Sequence, residues 1–198
     1  MGLRETKAER TRERVVSEAM ALFAADGFDA TTMERIAAAA EISPATLYRY
    51  FPSKDRILAS PMEAIFTTFT DTFRDRPADE DLGVSLAAAI DAVLTRAEAD
   101  PDGTRVMRRI LDESPIPRAR LWDDLAAVRA RLAELIATRT GRSPGDIDVV
   151  LTARTAILLL ETAADMWRFG NDDRPSRQIV VDLYAAFHDG RVTVPRPE

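Results

Sequence analysis

The chain has 198 residues, 46% apolar and 30% charged, with a formal net charge of −6. That length suffices for one large or two small domains with a real core, and the composition is that of a soluble globular protein. With no Cys and a single His, His188, disulfides, thiolate metal sites, cysteine nucleophiles and a His-pair metal site are all excluded.

The N-terminal stretch MGLRETKAERTRERV has no apolar core and does not read as a secretory signal. No apolar run, the one near Ile157 to Leu160 included, is long enough to span a bilayer, so a cytoplasmic location without membrane contact is expected. Charge is spread unevenly. Residues 1–56 hold nine Lys/Arg against nine Asp/Glu, and residues 57–198 hold eighteen against twenty-four. A local patch, not the total, decides whether phosphate is bound. Arg4, Lys7, Arg10, Arg12 and Arg14 either form such a patch or make an ordinary solvated face.

Residues 1 to about 6 read as a flexible arm. A helix follows from about Lys7 to Ala25, with Val15, Ala19, Leu22 and Phe23 on one face and Gly27 past its end. Thr31 and Glu34 have capping-box spacing, which predicts a second helix starting near Thr32. Met33, Ile36, Ala37 and Ala40 give it an apolar face, and Glu41 and Ile42 make a turn. Ser43 is a good N-cap and Pro44 suits the first helical position, where its missing N–H costs nothing. The helix from Pro44 to about Phe51 turns Leu47 and Phe51 inward and leaves Thr46, Tyr48, Arg49 and Tyr50 outward. Pro52 stops it, and Ser53 caps the next helix with Lys54 just inside. Two helices joined by so short a turn describe a helix-turn-helix. A plain αα-hairpin fits the apolar spacing equally well, but a merely solvated face more usually carries Glu and Lys than two Tyr, an Arg and a Thr.

The segment ATLYRYFPSKDRIL, preceded by DGFDATTMERIAAAAEIS, resembles the DNA-binding segment of the TetR family of one-component repressors, over about residues 9–58. The family usually has Gly where this chain has Glu41. A left-handed turn residue is costly for Glu, so a strained or differently opened turn is expected. The resemblance implies a homodimer that inserts one helix per subunit into the major groove of double-stranded DNA. Ser43, Pro44, Ala45, Tyr48 and Tyr50 then face bases or adjacent phosphates, and Arg49 a guanine. Thr32, Thr46, Lys54 and the Tyr hydroxyls are expected to position the backbone.

Beyond Ser53 the pattern stays helical. Pro61 is expected to kink or break the helix, and Met62, Ile65, Phe66, Phe69 and Phe73 follow as an apolar stripe. Further helices fit Leu82 to Ala99, a short stretch around Val106 to Leu111 stopped by Pro115 and Pro117, Arg118 to about Thr140, Asp146 or Ile147 to Phe169, and Ser176 to His188. GRSPGD and NDDRPS are loops. No segment alternates as a strand does. The expected fold is all-α with about nine helices: a helix-turn-helix domain over 1–56 and a ligand-binding and dimerisation domain over 57–198.

Ala156 to Leu160 is apolar almost all round, and such a helix must be buried on both sides. Leu158, Leu159 and Ala163, with Ile179, Val180, Leu183 and Phe187 of the last helix, either form a deep monomeric core or pair with a second subunit. The resemblance implies the pairing, as a four-helix interface. Met62, Phe66, Phe69, Met107, Leu111, Trp122, Met166 and Trp167 read individually as core. The resemblance implies a ligand pocket in this region, of several hundred Å³, for a small and largely apolar effector. Arg105, Arg108 and Arg109 either meet an anionic head group there or face solvent. Arg105 to Trp167 also resembles ligand domains linked with acyl-CoA-type effectors.

Catalysis has little to work with. Glu161 and Asp165 make an i, i+4 carboxylate pair that more often rims a groove or meets an Arg such as Arg168. GRSPG lacks the Lys and spacing of a phosphate loop. No enzyme, metal or cofactor is expected. The alternative to a regulator is an all-α dimer that holds an apolar molecule and binds no DNA, which has no need of an exposed Tyr48–Arg49–Tyr50 cluster.

Overall fold

The computed structural model describes residues 3–169 and 174–193. Among these there are nine helices and no strand: α1 (Leu3–Asp26), α2 (Met33–Ala39), α3 (Pro44–Tyr50), α4 (Lys54–Asp75), α5 (Leu82–Ala99), α6 (Pro101–Glu113), α7 (Pro115–Thr140), α8 (Ile147–Phe169) and α9 (Ser176–His188). Helix α1 already runs at Leu3, so the arm expected over residues 1–6 is helical from there on. Residues 171–173 of the NDDRPS loop lie outside the described residues.

The packing forms two compact units, residues 1–67 with 100–126, and residues 68–99 with 127–198. This differs from the boundary expected after residue 56. The reason is α6, whose Met107, Ile110 and Leu111 join the same core as Val15, Ala19 and Phe23 of α1, Ile36 of α2, Leu47 of α3, and Phe51, Ile57 and Leu58. Arg109 adds a donor to this contact, its guanidinium reaching the Ala24 carbonyl near the end of α1 at 3.2 Å. The rings of Phe23 and Phe28 meet at 5.0 Å, tilted by 56°. Leu47 is fully buried there, so Leu47→Ala removes about 2–5 kcal/mol and undoes the seat of α3.

In the second unit, Leu86, Ile90 and Val93 of α5 are buried, as are Ala153, Ile157 and Ala163 of α8 and Ile179 and Val180 of α9. Glu80 pins the turn between α4 and α5. It pairs with Arg76 and accepts from Ser85 Oγ at 2.6 Å, while Arg139 of α7 reaches the Pro77 carbonyl and stands 5.4 Å from the Phe73 ring. Arg76 first, then Ser85, hold the Glu80 carboxyl down at about 2, against a smaller opposing push from burial. The α9 N-terminus is capped from α5, where Glu98 accepts the Ser176 N–H at 2.8 Å.

Three prolines do not break or stop a helix in the structure. Helix α4 runs on through Pro61 without ending. Loss of one i→i−4 hydrogen bond is outweighed by burial of Ile57, Leu58 and Ala59 before it and Phe66, Phe69 and Phe73 after it. Pro115 and Pro117 lie in the first turn of α7, where an N–H has no intrahelical partner to lose, so they begin that helix instead of ending α6.

Candidate nucleic-acid interface

The α2–turn–α3 element is built by local rules. Thr32, not Thr31, is the N-cap of α2, its hydroxyl accepting the Arg35 N–H at 3.2 Å. Thr31 is buried and donates instead to the Gly27 carbonyl at 2.8 Å. Ser43 caps α3 by accepting the Thr46 N–H at 3.2 Å, and its Oγ shares a 2.9 Å hydrogen bond with Thr46 Oγ1. Pro44 follows at the first helical position. Between the helices Glu41 has φ +52°, the left-handed conformation expected of the position where Gly is usual. Its N–H donates to the Ala38 carbonyl at 3.1 Å, and the Ile42 N–H to that of Ala37 at 3.0 Å. This is the paired C-terminal bonding of a Schellman turn, which favours Gly at the position Glu41 holds.

On α3, Ser43, Pro44, Ala45, Tyr48 and Arg49 are exposed and Thr46 half-buried, so the face lies open as expected. Tyr48 is 46% exposed, and its hydroxyl donates to Glu34 of α2 at 3.4 Å. Tyr50 differs: it is half-buried and packs on the core beside Phe51. The Arg49 guanidinium lies 5.4 Å from the Tyr50 ring centroid, and Arg12 of α1 lies 5.6 Å from it and 5.5 Å from the Phe51 ring. Sequence spacing cannot find that contact, since its partners stand thirty-eight residues apart. Lys54 is also more engaged than expected. Its ammonium donates to the carbonyls of Phe28 at 2.7 Å and Asp29 at 3.2 Å and stands 4.7 Å from the Phe28 ring. Two of its three N–H groups thus close the α1–α2 loop, and one remains for a phosphate.

The residues proposed for a pocket do not gather around one cavity. Met62, Met107 and Leu111 meet Leu58, Leu121 and Pro117 around a space of about 20 Å³ in the first unit, bordered by Asp55, Arg120 and Asp124. That holds about one water molecule, not the several hundred Å³ expected. Phe66 and Phe69 are core residues, the first in one unit and the second in the other. Trp122 is 60% exposed and Met166 42%, so neither lines an interior, and the Trp167 side chain lies outside the described residues. Arg105 and Arg108 pair with Asp102 and Asp112 on their own helix, leaving no Arg of this trio aimed at a ligand. A larger groove, about 310 Å³, lies in the second unit between α5, α8 and α9, lined by Leu86, Ile90, Leu151, Thr155, Leu159 and Tyr184 among others. None of the pocket residues read from the sequence borders it.

The residues expected at a dimer interface divide. Ala163, Ile179, Val180 and Leu159 are buried within their own unit, Leu183 is half-buried, and Leu158 and Phe187 are exposed. Ile147, Leu151 and Met166 of α8 and Val181 of α9 are exposed apolar residues as well. Glu161 meets Arg129 of α7 at 3.4 Å. Burial pushes its carboxyl up, Arg129 opposes this, and Asp165 adds to it. Among the described residues no group of three or more His, Asp or Glu side chains is placed to hold a metal ion, and no helix is long and apolar enough to cross a membrane.

A family model for bacterial regulatory proteins of the tetR family matches residues 15–60. The HTH-type transcriptional regulator TcmR of Streptomyces glaucescens is 35% identical over 146 residues, which make up 71% of this chain. The match spans 65% of that protein, just under two thirds of its length. The HTH-type transcriptional repressor KstR of Mycobacterium tuberculosis is 38% identical over 74 residues, covering 37% of this chain and 33% of that one. Among solved structures, the fatty acid degradation regulator FadR of Bacillus halodurans aligns with a TM-score of 0.64 at 19% identity, over 88% of this chain and 93% of its own. Thermus thermophilus FadR, solved in complex with lauroyl-CoA, aligns with a TM-score of 0.57 at 23% identity, over 94% and 98%. At such identities the two structures speak for the fold. With the helix-turn-helix geometry, the family model and the 35% identical regulator lead to one assignment: the chain belongs to the TetR family of bacterial transcriptional regulators.

Proposed function

We propose that this protein is a ligand-responsive repressor that binds a palindromic operator as a homodimer in the cytoplasm. The observation that carries the reading is the open face of α3, where Tyr48 and Arg49 stand exposed on a helix capped by Ser43 and seated by Leu47. Helix α3 enters the major groove with its first residues, Pro44 and Ala45, toward the base edges. Thr32, Thr46, Tyr48 and the remaining Lys54 N–H contact the phosphates. Selection of bound duplexes from a random pool tests this: a palindromic consensus is expected, and recovery of no consensus overturns it.

The exposed apolar residues of α8 and α9 support the dimer, since Leu151, Leu158, Val181 and Phe187 remain open in the isolated chain. Leu158→Asp should give a folded monomer that no longer binds the palindrome. Sedimentation of the unmutated protein as a monomer at micromolar concentration would remove the dimer. For the effector we infer an acyl-type molecule that opens the space between Met62, Met107 and Leu111. Two of these walls are methionines, whose unbranched side chains repack readily, and Arg120 stands at the border for an anionic group. The Thermus relative's lauroyl-CoA is of that chemical type. Operator release on titration with lauroyl-CoA, lost in Met107→Trp, is the expected result. Release that is equal in the variant moves the site elsewhere.

A further inference from the structure

Three arginines of the first unit have a carboxylate partner within it: Arg14 has Glu41 at 3.9 Å, Arg35 has Asp26 at 2.6 Å, and Arg56 has Glu63 at 3.0 Å. Arg12 and Arg49 are different. Both are exposed, and among the described residues neither has a carboxylate within ion-pair distance. Instead both guanidiniums stand within 5.6 Å of the centroid of one ring, that of Tyr50, and Arg12 is also held by the Phe51 ring at 5.5 Å. Attraction to a ring face is weak at an exposed site. It fixes the direction of a planar fork without neutralising it, so two oriented cations are left at the C-terminal end of α3 with no anion.

We infer that Arg12, with Arg49 beside it, seats a backbone phosphate of the bound duplex, and that the Tyr50 and Phe51 rings hold the Arg12 fork ready for it. The inference rests on the DNA-binding reading above and adds α1 to the contact surface. A phosphate fits better than a base edge on two grounds. Arg12 belongs to α1, not to the helix that enters the groove, and the bases are read by the N-terminal residues of that helix. Arg49 and Tyr50 lie at its other end, where the groove wall is sugar and phosphate. A guanidinium also matches phosphate oxygens through two parallel N–H bonds, and pre-orientation on an aromatic face reduces the freedom lost on binding.

The test uses the full chain and a duplex carrying the consensus that the unmutated protein recovers from a random pool. Binding is titrated across a KCl series, with circular dichroism at the assay temperature showing each variant folded. In R12Q the slope of log K against log [KCl] should become less steep by about 0.9 for each subunit. Affinity should fall for all sequences alike, leaving the preference among bases unchanged. In R12K the slope should return toward that of the unmutated protein, because an ammonium neutralises the same phosphate. A purely structural stacking role predicts something else, namely an unaltered slope in both variants with only a lower melting temperature. That result overturns the seat, as does an R12K slope equal to that of R12Q. If the unmutated protein retains no duplex at all, the DNA-binding reading falls and this inference with it.

Discussion

Glu41→Gly isolates a single physical cost in the helix-turn-helix. Glu41 sits at φ +52°, where a side chain carries a penalty of about 1–2 kcal/mol from contact of its Cβ with the following carbonyl. Glycine escapes that penalty but has more freedom to lose on folding, a cost of about 0.5–1 kcal/mol. Among the described residues the only ion pair of Glu41, with Arg14 at 3.9 Å, joins side chains 46% and 83% exposed, and contributes nothing measurable. The turn's two hydrogen bonds are made by backbone groups and survive the change. The difference leaves a gain of up to about 1.5 kcal/mol, which for a chain of this length raises the melting temperature by up to about 6 °C. Differential scanning calorimetry at matched protein concentration measures it, with Glu41→Ala as control. Alanine keeps the strained Cβ and loses the carboxylate, so it should melt close to the unmutated protein. A lower melting temperature for the Gly variant, or a gain for Ala equal to that for Gly, refutes the strain argument.

Other perturbations follow the same logic. Lys54→Met keeps the stem but removes an ammonium bonded to two carbonyls, and should cost about 1.5–3 kcal/mol by urea denaturation; an unchanged midpoint contradicts the loop-closing role. Glu80→Gln should narrow the melting-temperature gap to the unmutated protein as the pH falls. The carboxyl is held below its unfolded value, so its contribution is complete above about pH 4.5 and disappears on passing below about 2; a gap that is constant from pH 6 to 3 rules this out. Tyr184→Phe deletes a buried hydroxyl that has no hydrogen-bond partner among the described residues and whose pKa burial, then Asp91, pushes up to about 12. Stability at pH 7 should hold or rise by up to about 1 kcal/mol, and a loss larger than that means the hydroxyl has a partner in solution.

What the sequence carried legibly was local. Ser43 with Pro44, the apolar spacing of Ile36, Leu47 and Phe51, and the awkward Glu41 each act within one or two turns, and the structure places them as expected. Even here two adjacent threonines exchanged roles. Either could cap α2, and Thr31 lost the position because burial beside Gly27 supplied it a different acceptor. Contacts between distant segments left no comparable trace. Nothing in the spacing of α6 says that Met107 and Ile110 pack on α1 and not elsewhere, and nothing near Arg12 points to Tyr50. Large apolar residues were the least readable. Phe69 and Trp122 look alike as members of a stripe, yet one is fully buried and the other 60% exposed. A helix apolar all round, like α8, announces burial on more than one side without saying which residues its own unit covers. Ala163 and Leu158 answer that question in opposite ways.

The membership of α6 in the helix-turn-helix core bears on how an effector acts. Met107 and Leu111 line the space of about 20 Å³, and with Ile110 they pack in the core that holds Leu47 of the reading helix. A void of that size cannot admit an acyl chain unless its walls move, and close-packed walls do not yield independently of what lies behind them. On the proposed reading, therefore, binding and displacement of α3 are one event. The ligand need not be linked to the reading helix by a chain of remote contacts, because both share one core. The arrangement also sets a cost. Energy taken to open the wall is subtracted from affinity for the effector, so a ligand that favours the open form tenfold supplies only about 1.4 kcal/mol of coupling. A variant with the space already opened, such as Met107→Ala, should bind the effector more tightly and the operator more weakly in the absence of effector. Tighter effector binding with undiminished operator affinity would separate the two events and exclude a shared core as the route between them.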